Sequence, residues 1–371
     1  MHILITADTV GGVWTYCREL TAGLLRQGVT VTLVSFGDLP DTAQTAWMES
    51  LAPDERSRLA YYPTAFKLEW MQDCDGDMKA AAEFLLGVIR ENQPDLLHFN
   101  QYYFGALACD LPRIVVAHSD VVSWWVAVHG SEPPESSWSN WYRDIVARGL
   151  SEATTVIAPS RWMLDQVQRR YLTPRSASVI YNGRTPGLFN PYVSRRDRVL
   201  TVGRLWDAGK NAALLLRERM PLPISIVGAD HHPGAAGDPF RARQRPDVRL
   251  EPKRNERQMA QIFSHASAYA ALSQYEPFGL ALVEAALSRC AIVASDIPSF
   301  RELWEDAALF FRNNDATDLR ATLEMLVRDP ALRNHYAHLA YRHALRKFSA
   351  SRMVEEYLAL YGSLLSITAV A

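Results

Sequence analysis

Two glutamates, Glu276 and Glu284, stand eight residues apart in the segment QYEPFGLALVEAALSRCAIVASD, where a Pro-Phe-Gly-Leu turn leads from a predicted strand into a predicted helix. The free N–H groups and the positive dipole end of such a helix favour an anion, and a diphosphate is the natural occupant. Glu276 precedes the helix, whereas Glu284 lies roughly 6–9 Å further along its axis. One carboxylate could hold sugar hydroxyls and the other a ribose diol. An isolated pair with this spacing is more often a dipole-complementing glutamate and an exposed one. The turn favours the ligand site.

A second group of charges follows another predicted strand, in VGRLWDAGKN (202–211). Arg204 and Lys210 lie in the loop after this strand and can converge on two phosphates. The guanidinium would bind as a fork and the ammonium as a point charge. An arginine and a lysine in such a loop are usually solvated surface charges. Their combination with the glutamate motif favours phosphate binding.

A glycine turn, Gly11-Gly12, lies between the first predicted strand and the first predicted helix in TADTVGGVWTY. This turn is not GxGxxG, and the second strand, VTVTLVSF, ends without the acidic residue that would hold an adenosine ribose. A dinucleotide site is therefore disfavoured. A tight connection and a ligand-facing loop remain equal alternatives for the bare glycine pair.

His118 and a cluster of aromatic residues follow the predicted strand RIVVA. A lone histidine at a strand end is more often structural than functional. An aromatic cluster follows that could stack on a sugar or another apolar acceptor face, with buried packing as the equal alternative. It consists of Trp124, Trp125, Trp138, Trp141 and Tyr142.

The sequence predicts no metal site and no cofactor. The segment DCDGD (73–77) contains Asp-x-Asp, a spacing that can hold a divalent ion, but it precedes a predicted helix and is interpreted as an Asp-capped helix start. Cys17, Cys74, Cys109 and Cys290 form no CxxC pair, so neither a zinc site nor a disulfide framework is indicated. A reducing cytoplasm fits this pattern.

Short β-branched runs alternate with longer helical patterns, which predicts parallel sheets with crossover helices. Strands are predicted at 2–8, 29–36, 96–100, 113–119, 154–160 and 178–183 in the first half, and at 199–205, 224–230, 247–252, 268–273 and 291–296 in the second. Helices are predicted near 13–27, 77–92, 140–152, 161–171, 211–219, 256–266, 279–288 and 316–328.

The chain of 371 residues is longer than one hydrophobic core usually covers, so two domains are expected. The stretch 181–197 is rich in Gly, Pro and charge and is the predicted linker. We therefore predict an α/β protein with two Rossmann-like doubly wound domains, 1–185 and 186–350, that face each other across a cleft. The amphipathic segment 351–371 belongs to no further strand and is expected to pack back on the first domain.

Charge and hydropathy exclude several functional classes. The first 190 residues carry 15 Lys and Arg against 21 Asp and Glu, and the remainder carries 24 against 20. The basic half suits a phosphate-bearing ligand, although scatter in surface charge is an equal alternative. With an isoelectric point near 6.6 and no basic run among aromatics, nucleic acid binding is not expected. The N-terminal segment MHILITAD has no basic n-region, and no window approaches about 18 apolar residues, so a cytoplasmic protein is expected.

The E-x7-E spacing with its Phe-Gly-Leu turn resembles the principal motif of family 4 of the retaining glycosyltransferases, which have the GT-B fold. The resemblance covers essentially the whole chain. It implies that Glu276 contacts the donor sugar and Glu284 the ribose, and that the amides of the turn face the sugar and the diphosphate. Those amides belong to Phe278, Gly279 and Leu280.

The same resemblance assigns further positions. Arg204 and Lys210 would stabilise the leaving diphosphate, and His118 would meet the donor sugar. Gly11 and Gly12 would approach the donor phosphate and the acceptor. Lys253 would lie near the nucleobase, because the corresponding loop does so in the family.

The expected activity is retaining, metal-independent, front-face transfer of a sugar from a UDP- or GDP-sugar, bound mainly by the second domain. The acceptor, held by the first domain, would be a glycan, a lipid-linked molecule or a small molecule. The oligomeric state and peripheral attachment to a membrane stay open. The alternatives are an epimerase or a phosphorylase with the same fold, and a catalytically inactive carbohydrate-binding protein.

Overall fold

The computed structural model describes residues 1–229 and 245–368. The chain divides into two compact units. The N-terminal unit consists of Met1–Val126, Ser131–Gly183 and the described residues from Ala350 onward, and the C-terminal unit of Ala127–Gly130 and the described part of Arg184–Ser349. Within the described ranges, every helix is too short or too polar to traverse a lipid bilayer.

The N-terminal unit is built on a parallel sheet of seven strands in the order β3-β2-β1-β4-β5-β6-β7. The strand order reverses between β1 and β4, and ligands of such sheets bind beside the carboxyl ends of the strands at that point. The strands are β1 (His2–Asp8), β2 (Thr30–Phe36), β3 (Leu59–Pro63), β4 (Leu96–Phe99), β5 (Arg113–Val116), β6 (Thr155–Ala158) and β7 (Ala177–Val179).

Helices cover both faces of this sheet, as parallel strands require. Leu4 and Val34 face one hydrophobic cluster, and Ile3 and Ile5 face the other. The helices are α1 (Gly12–Arg26), α2 (Thr42–Glu49), α3 (Pro53–Arg56), α4 (Asp75–Asn92), α5 (Val121–His129), α6 (Ser137–Glu152) and α7 (Arg161–Arg170), with a 3-10 turn at Tyr103–Ala106.

In the C-terminal unit, the described strands form a six-stranded parallel sheet in the order β10-β9-β8-β11-β12-β13. Here the order reverses between β8 and β11, which places the second ligand-binding edge at the loops after those two strands. The strands are β8 (Arg196–Val202), β9 (Ile224–Val227), β10 (Val248–Glu251), β11 (Ala266–Ala271), β12 (Ala291–Ser295) and β13 (Leu309–Phe311). Its helices are α8 (Leu214–Arg217), α9 (Glu256–His265), α10 (Leu280–Leu287), α11 (Pro298–Trp304), α12 (Ala316–Arg328) and α13 (Pro330–Lys347).

The last helix, α14 (Ala350–Thr368), belongs to the N-terminal unit and packs on α1. Gly23 allows the close approach, because a Cβ there would lie 2.3 Å from Val354 Cγ2. Tyr361 of α14 also reaches the sheet, where its hydroxyl lies 2.6 Å from His98 Nδ1. The terminal helix therefore lies behind β4.

The predicted fold class is confirmed, but several elements differ from prediction. β3 and β13 were not predicted: β3 is a partly exposed edge strand that ends in proline, and β13 has only three residues. The predicted helix 211–219 is reduced to α8, because Asn211 adopts a left-handed φ of 51° before it and Glu218 is extended after it. The Asp cap predicted in 73–77 is wrong: Cys74 is the cap residue of α4 and makes no side-chain cap bond. The predicted strand 224–230 ends at Val227, and Asp230 lies outside the described residues.

Candidate active site

Two loops of the C-terminal unit meet at the reversal of its strand order. One follows β8 (203–210) and the other follows β11 (272–279). The amide of Gln274 donates to the carbonyl of Gly209 at 2.9 Å, which joins the two loops. A Cβ at Gly228 would lie 1.7 Å from the Gly203 carbonyl oxygen, so glycine is needed where the β8 and β9 turns touch. The sheet therefore brings two predicted motifs together.

Lys210 and Glu276 form an ion pair across these loops. The lysine side chain is 25% exposed and the glutamate side chain 15% exposed, so the pair is partly shielded but open to solvent. Ser273 Oγ donates to the same carboxylate oxygen, Glu276 Oε2, at 3.4 Å. The lysine predicted to bind phosphate and the glutamate predicted to bind the sugar thus contact each other directly.

Arg204 is held by two neighbours in its own loop. Its Nη2 lies 2.6 Å from Asp207 Oδ2, and its guanidinium lies 5.2 Å from the ring centre of Trp206. Asp207 is buried, and its other oxygen accepts from the amide of Gly209 at 2.8 Å. The sequence interpretation did not single out Asp207, although a carboxylate three residues after a loop arginine is a recognisable partner.

Helix α10 begins beside Glu276. Gly279 is its cap residue with φ 85° and ψ 73°, a left-handed conformation that favours glycine. A Cβ at Gly279 would lie 3.1 Å from Glu276 Cγ, so the glutamate side chain packs against the helix start. Within the described residues, no acceptor is bound to the amides of Phe278 and Gly279. The amide of Leu280, the first residue of the helix, lies in the same turn.

The side chain of Phe278 is buried and packs edge-on against Phe348 with ring centres 5.2 Å apart. The phenyl ring is therefore a core group. This leaves only the backbone of Phe278 for a ligand, and the predicted contact of its amide with the donor stays a prediction.

Glu284, in the second turn of α10, pairs with a buried arginine that the sequence interpretation missed. Arg184 Nε lies 2.9 Å from Glu284 Oε1, and Arg184 Nη2 lies 2.7 Å from Glu256 Oε1. The Arg184 side chain is 1% exposed, and its guanidinium also lies 5.4 Å from the ring centre of Phe189. The sequence shows Arg184 only as an arginine within the predicted linker, where a charged residue normally indicates solvent exposure.

Lys253 is exposed in the loop after β10, an edge strand of the same sheet. In the part of the chain that the structure describes, no contact joins Lys253 to the other predicted donor residues. Its predicted place near the nucleobase stays a prediction.

In the N-terminal unit, Gly11 and Gly12 lie at the carboxyl end of β1. Gly11 has a left-handed φ of 97° and Gly12 begins α1. The preceding Asp8 steadies the loop, because its Oδ1 accepts from the amide of Val10 at 2.5 Å. The loop thus lies beside the reversal of strand order between β1 and β4.

His118 lies two residues after β5 and is partly exposed. Its Nε2 is 2.7 Å from Oδ1 of Asn100, a residue directly after β4 that the sequence interpretation did not select. Burial lowers the pKa of His118 to about 3, so the imidazole is neutral near pH 7. A neutral imidazole can offer one donor and one acceptor nitrogen to a ligand site.

Trp124 and Trp125 are adjacent residues on α5, both partly exposed, with ring centres 6.2 Å apart in an edge-on arrangement. Trp138 and Tyr142, in the same predicted cluster, stack at 5.5 Å against the N-terminal core. Packing therefore accounts for Trp138 and Tyr142, while the acceptor role of Trp124 and Trp125 stays a prediction.

Among the described residues, no group of three His, Cys, Asp or Glu side chains is arranged to hold a metal ion. In the Asp-x-Asp segment, Asp75 pairs with Lys79 at 2.7 Å and Asp77 accepts from the amide of Lys67 at 3.1 Å. In the C-terminal unit, by contrast, Lys210 pairs with Glu276 beside the start of α10, and Arg204 lies in the same loop as Lys210. That arrangement can bind a diphosphate and the polyol attached to it.

Two family models match the chain. Residues 10–186 match the model described as Glycosyltransferase Family 4. Residues 242–343 match the model described as Glycosyl transferases group 1. The two matches fall in the N-terminal and C-terminal halves respectively.

Curated relatives are similar at moderate identity. The chain is 25% identical over 295 residues to alpha-maltose-1-phosphate synthase of Mycobacterium tuberculosis, which covers 70% of this chain and 75% of that protein. It is also 26% identical over 405 aligned positions to D-inositol 3-phosphate glycosyltransferase of Actinosynnema mirum. That alignment covers 95% of this chain and 92% of that protein.

Solved structures share the fold. Sucrose-phosphate synthase from Thermosynechococcus elongatus superposes with a TM-score of 0.83 at 17% identity, covering 99% of this chain and 100% of that one. HepE of Anabaena in complex with UDP-glucose gives a TM-score of 0.76 at 16% identity, covering 98% and 100%. These are GT-B structures, so the predicted two-domain fold is confirmed.

Proposed function

Because the chain belongs to glycosyltransferase family 4, the glycosyl transferases of group 1, we propose that it transfers a hexosyl group from a nucleoside diphosphate sugar with retention of anomeric configuration and without a metal ion. That it is a glycosyltransferase follows from the family and the named relatives. The donor, the acceptor, the stereochemistry and the independence from metal are the proposal.

The observation that carries the proposal is the Lys210–Glu276 ion pair at the start of α10. A diphosphate on the amides of Phe278, Gly279 and Leu280 would lie where the helix dipole and the Lys210 ammonium both favour negative charge. Glu276, in contact with Lys210, would accept hydrogen bonds from the hydroxyls of the attached sugar. One contact thus links the leaving group to the sugar.

Catalysis in this proposal consists of positioning and of stabilising the leaving group. The bond between the anomeric carbon and the diphosphate oxygen breaks, and the acceptor oxygen bonds to that carbon on the same face. The acceptor hydroxyl proton moves to an oxygen of the departing diphosphate. Lys210, Arg204 and the α10 amides balance the charge that develops there. Arg204 would exchange its Asp207 contact for a phosphate oxygen.

The N-terminal unit would bind the acceptor and contribute to the sugar site. His118 and the Gly11-Gly12 loop would meet the donor, and Trp124 and Trp125 would stack on the acceptor. Glu284 would bind the ribose, and Lys253 would lie near the base.

A UDP-hexose is the first donor to test, because HepE, a protein of the same fold, was crystallised with UDP-glucose. Phosphorylated sugars and polyols are the first acceptors to test. Such groups occur in the names of the M. tuberculosis, A. mirum and T. elongatus proteins. Glycans and lipid-linked acceptors complete the panel.

The test is a thermal-shift screen of UDP- and GDP-sugars with and without EDTA, followed by turnover with the acceptor panel. We expect stabilisation by one nucleotide sugar that EDTA does not change, release of the nucleoside diphosphate only when acceptor is present, and a product with the donor's anomeric configuration by proton NMR. Stabilisation that needs a divalent ion, or an inverted product, would overturn the proposed mechanism.

A further inference from the structure

The loop that carries His118 is fixed by two tyrosine side chains and by the start of α5. Tyr102 Oη donates to the Ser119 carbonyl at 3.0 Å, and Tyr171 Oη donates to Asp120 Oδ1 at 2.9 Å. Asp120 Oδ1 also accepts from the amide of Ser123 at 2.8 Å at the start of α5. The backbone that presents His118 therefore has little freedom.

Asn100 fixes the imidazole ring itself. Its Nδ2 donates to the Thr6 carbonyl at 2.5 Å and lies 3.2 Å from Cys17 Sγ, while its backbone amide donates to Thr6 Oγ1 at 3.0 Å. Both the main chain and the amide group of Asn100 are thus oriented by β1 and α1. Since Nδ2 faces the Thr6 carbonyl, Oδ1 faces His118, and a carbonyl oxygen can only accept.

The proton position on His118 follows from this orientation. Asn100 Oδ1 lies 2.7 Å from His118 Nε2, so Nε2 must carry the hydrogen. In the described part of the chain, no hydrogen bond is made to His118 Nδ1. A neutral ring with its hydrogen on Nε2 presents Nδ1 as a lone-pair acceptor.

We propose that Asn100 is a positioning residue that holds His118 as the Nε2–H tautomer, so that Nδ1 accepts a hydrogen bond from a hydroxyl group of the substrate. The role of that hydroxyl rests on the proposed glycosyl transfer, whereas the tautomer does not. His118 in this role binds and orients a hydroxyl and transfers no proton in the reaction.

The titratable groups around His118 support a neutral ring. Tyr16 of α1 packs its edge against His118 with ring centres 4.6 Å apart, and His98 of β4 lies behind it. His98 hydrogen-bonds to the hydroxyls of Tyr16 and of Tyr361 from α14. The ring of Tyr357, also from α14, contacts both His98 and Tyr16. Burial lowers the pKa of His98 to about 3, so neither histidine carries a charge near neutral pH.

The first test is independent of activity. Nitrogen–proton correlation NMR of the histidine-labelled full chain distinguishes the two neutral tautomers, and the His118→Gln variant assigns the signals. We expect the Nε2–H pattern for His118 at pH 7 in the native chain. We expect a mixture of tautomers in Asn100→Leu, which removes the acceptor. The exposed Asn140→Leu change on α6 is the matched control and should leave the pattern unchanged. An Nδ1–H tautomer or a charged ring in the native chain would overturn the proposal, even if no variant folds.

The second test separates positioning from a purely structural role. In Asn100→Asp, a carboxylate beside Nε2 stabilises the imidazolium, which turns Nδ1 from an acceptor into a donor. Because the pKa of the native ring is about 3, we expect the acid-side fall of kcat/KM to begin at a higher pH in Asn100→Asp than in the native chain, while Asn140→Asp keeps the native pH profile. A uniform loss in Asn100→Asp, with the shape of the native pH profile, would show that Asn100 acts only through the fold. If no nucleotide sugar is turned over but the native tautomer is Nε2–H, the proposed function fails and the assigned role of Asn100 in holding the ring stands.

Discussion

Replacement of Arg184 tests whether the buried ion triad of the C-terminal unit supports both the fold and the donor site. Arg184 is 1% exposed and contacts Glu256 and Glu284 at 2.7 and 2.9 Å, with side chains that are 34% and 16% exposed. Arg184→Met keeps an unbranched apolar stem but removes the guanidinium, which leaves two carboxylates without their cation. Breaking a buried pair costs about 3–5 kcal/mol. Because both glutamates reach solvent, we expect about 3 kcal/mol, at the lower end of that range.

Urea unfolding measures this loss, and donor kinetics measure its effect on Glu284. We expect KM for the nucleotide sugar to rise about tenfold, with a smaller change in kcat, since binding to the ribose is lost in ground and transition states alike. Adding Glu256→Gln to Arg184→Met should recover about 1 kcal/mol, because one uncompensated charge disappears. Arg346→Met, at an exposed position of α13, is the control and should change stability by less than about 0.5 kcal/mol. A loss below about 1 kcal/mol for Arg184→Met together with an unchanged KM would refute this reasoning.

Three further predictions concern the same two units. Gly279→Ala should cost about 2–4 kcal/mol and raise the donor KM, because a Cβ at this left-handed residue would lie 2.7 Å from Leu282 Cδ1 and 3.1 Å from Glu276 Cγ. Gly28→Ala, with φ 79° and open space around the Cβ, should cost about 1 kcal/mol by urea unfolding and leave KM unchanged. Arg204→Ala or Lys210→Ala should lower kcat/KM by an amount equivalent to about 2–4 kcal/mol, and native turnover in either would contradict their role. Burial lowers the pKa of His98 in the folded chain to about 3 from its ordinary 6.5, so the unfolded chain binds the extra proton. The free energy of unfolding should therefore be highest above about pH 6.5 and fall towards pH 3, and it should depend less on pH in His98→Gln.

The sequence predicted the elements whose patterns are local. The strand-turn-helix segment around Gly279 appears as β11, a left-handed cap and α10, because glycine, the preceding apolar run and the following helix formers all agree. β13 has only three residues, and the region after Asn211 forms a single helical turn. Such short elements depend on neighbours that a sequence window does not contain.

The candidate site was predicted in its residue types but not in its pairings. Lys210 and Glu276 are 66 residues apart and meet only because β8 and β11 are neighbours in the sheet. Asn100 and Arg184 were missed, because an amide after a strand and an arginine in a linker are ordinary features until the fold shows their partners. Burial in the fold is what the sequence does not show: Arg184 is buried, although its sequence context indicates exposure to solvent.

The most direct test is a crystal structure of the chain with a non-reacting nucleoside diphosphate sugar that stabilises it. The account predicts the diphosphate on the amides at Phe278, Gly279 and Leu280, within hydrogen-bond distance of Arg204 and Lys210, with Glu276 on the sugar hydroxyls. Electron density for the nucleotide at any other place, with the start of α10 unoccupied, would contradict it.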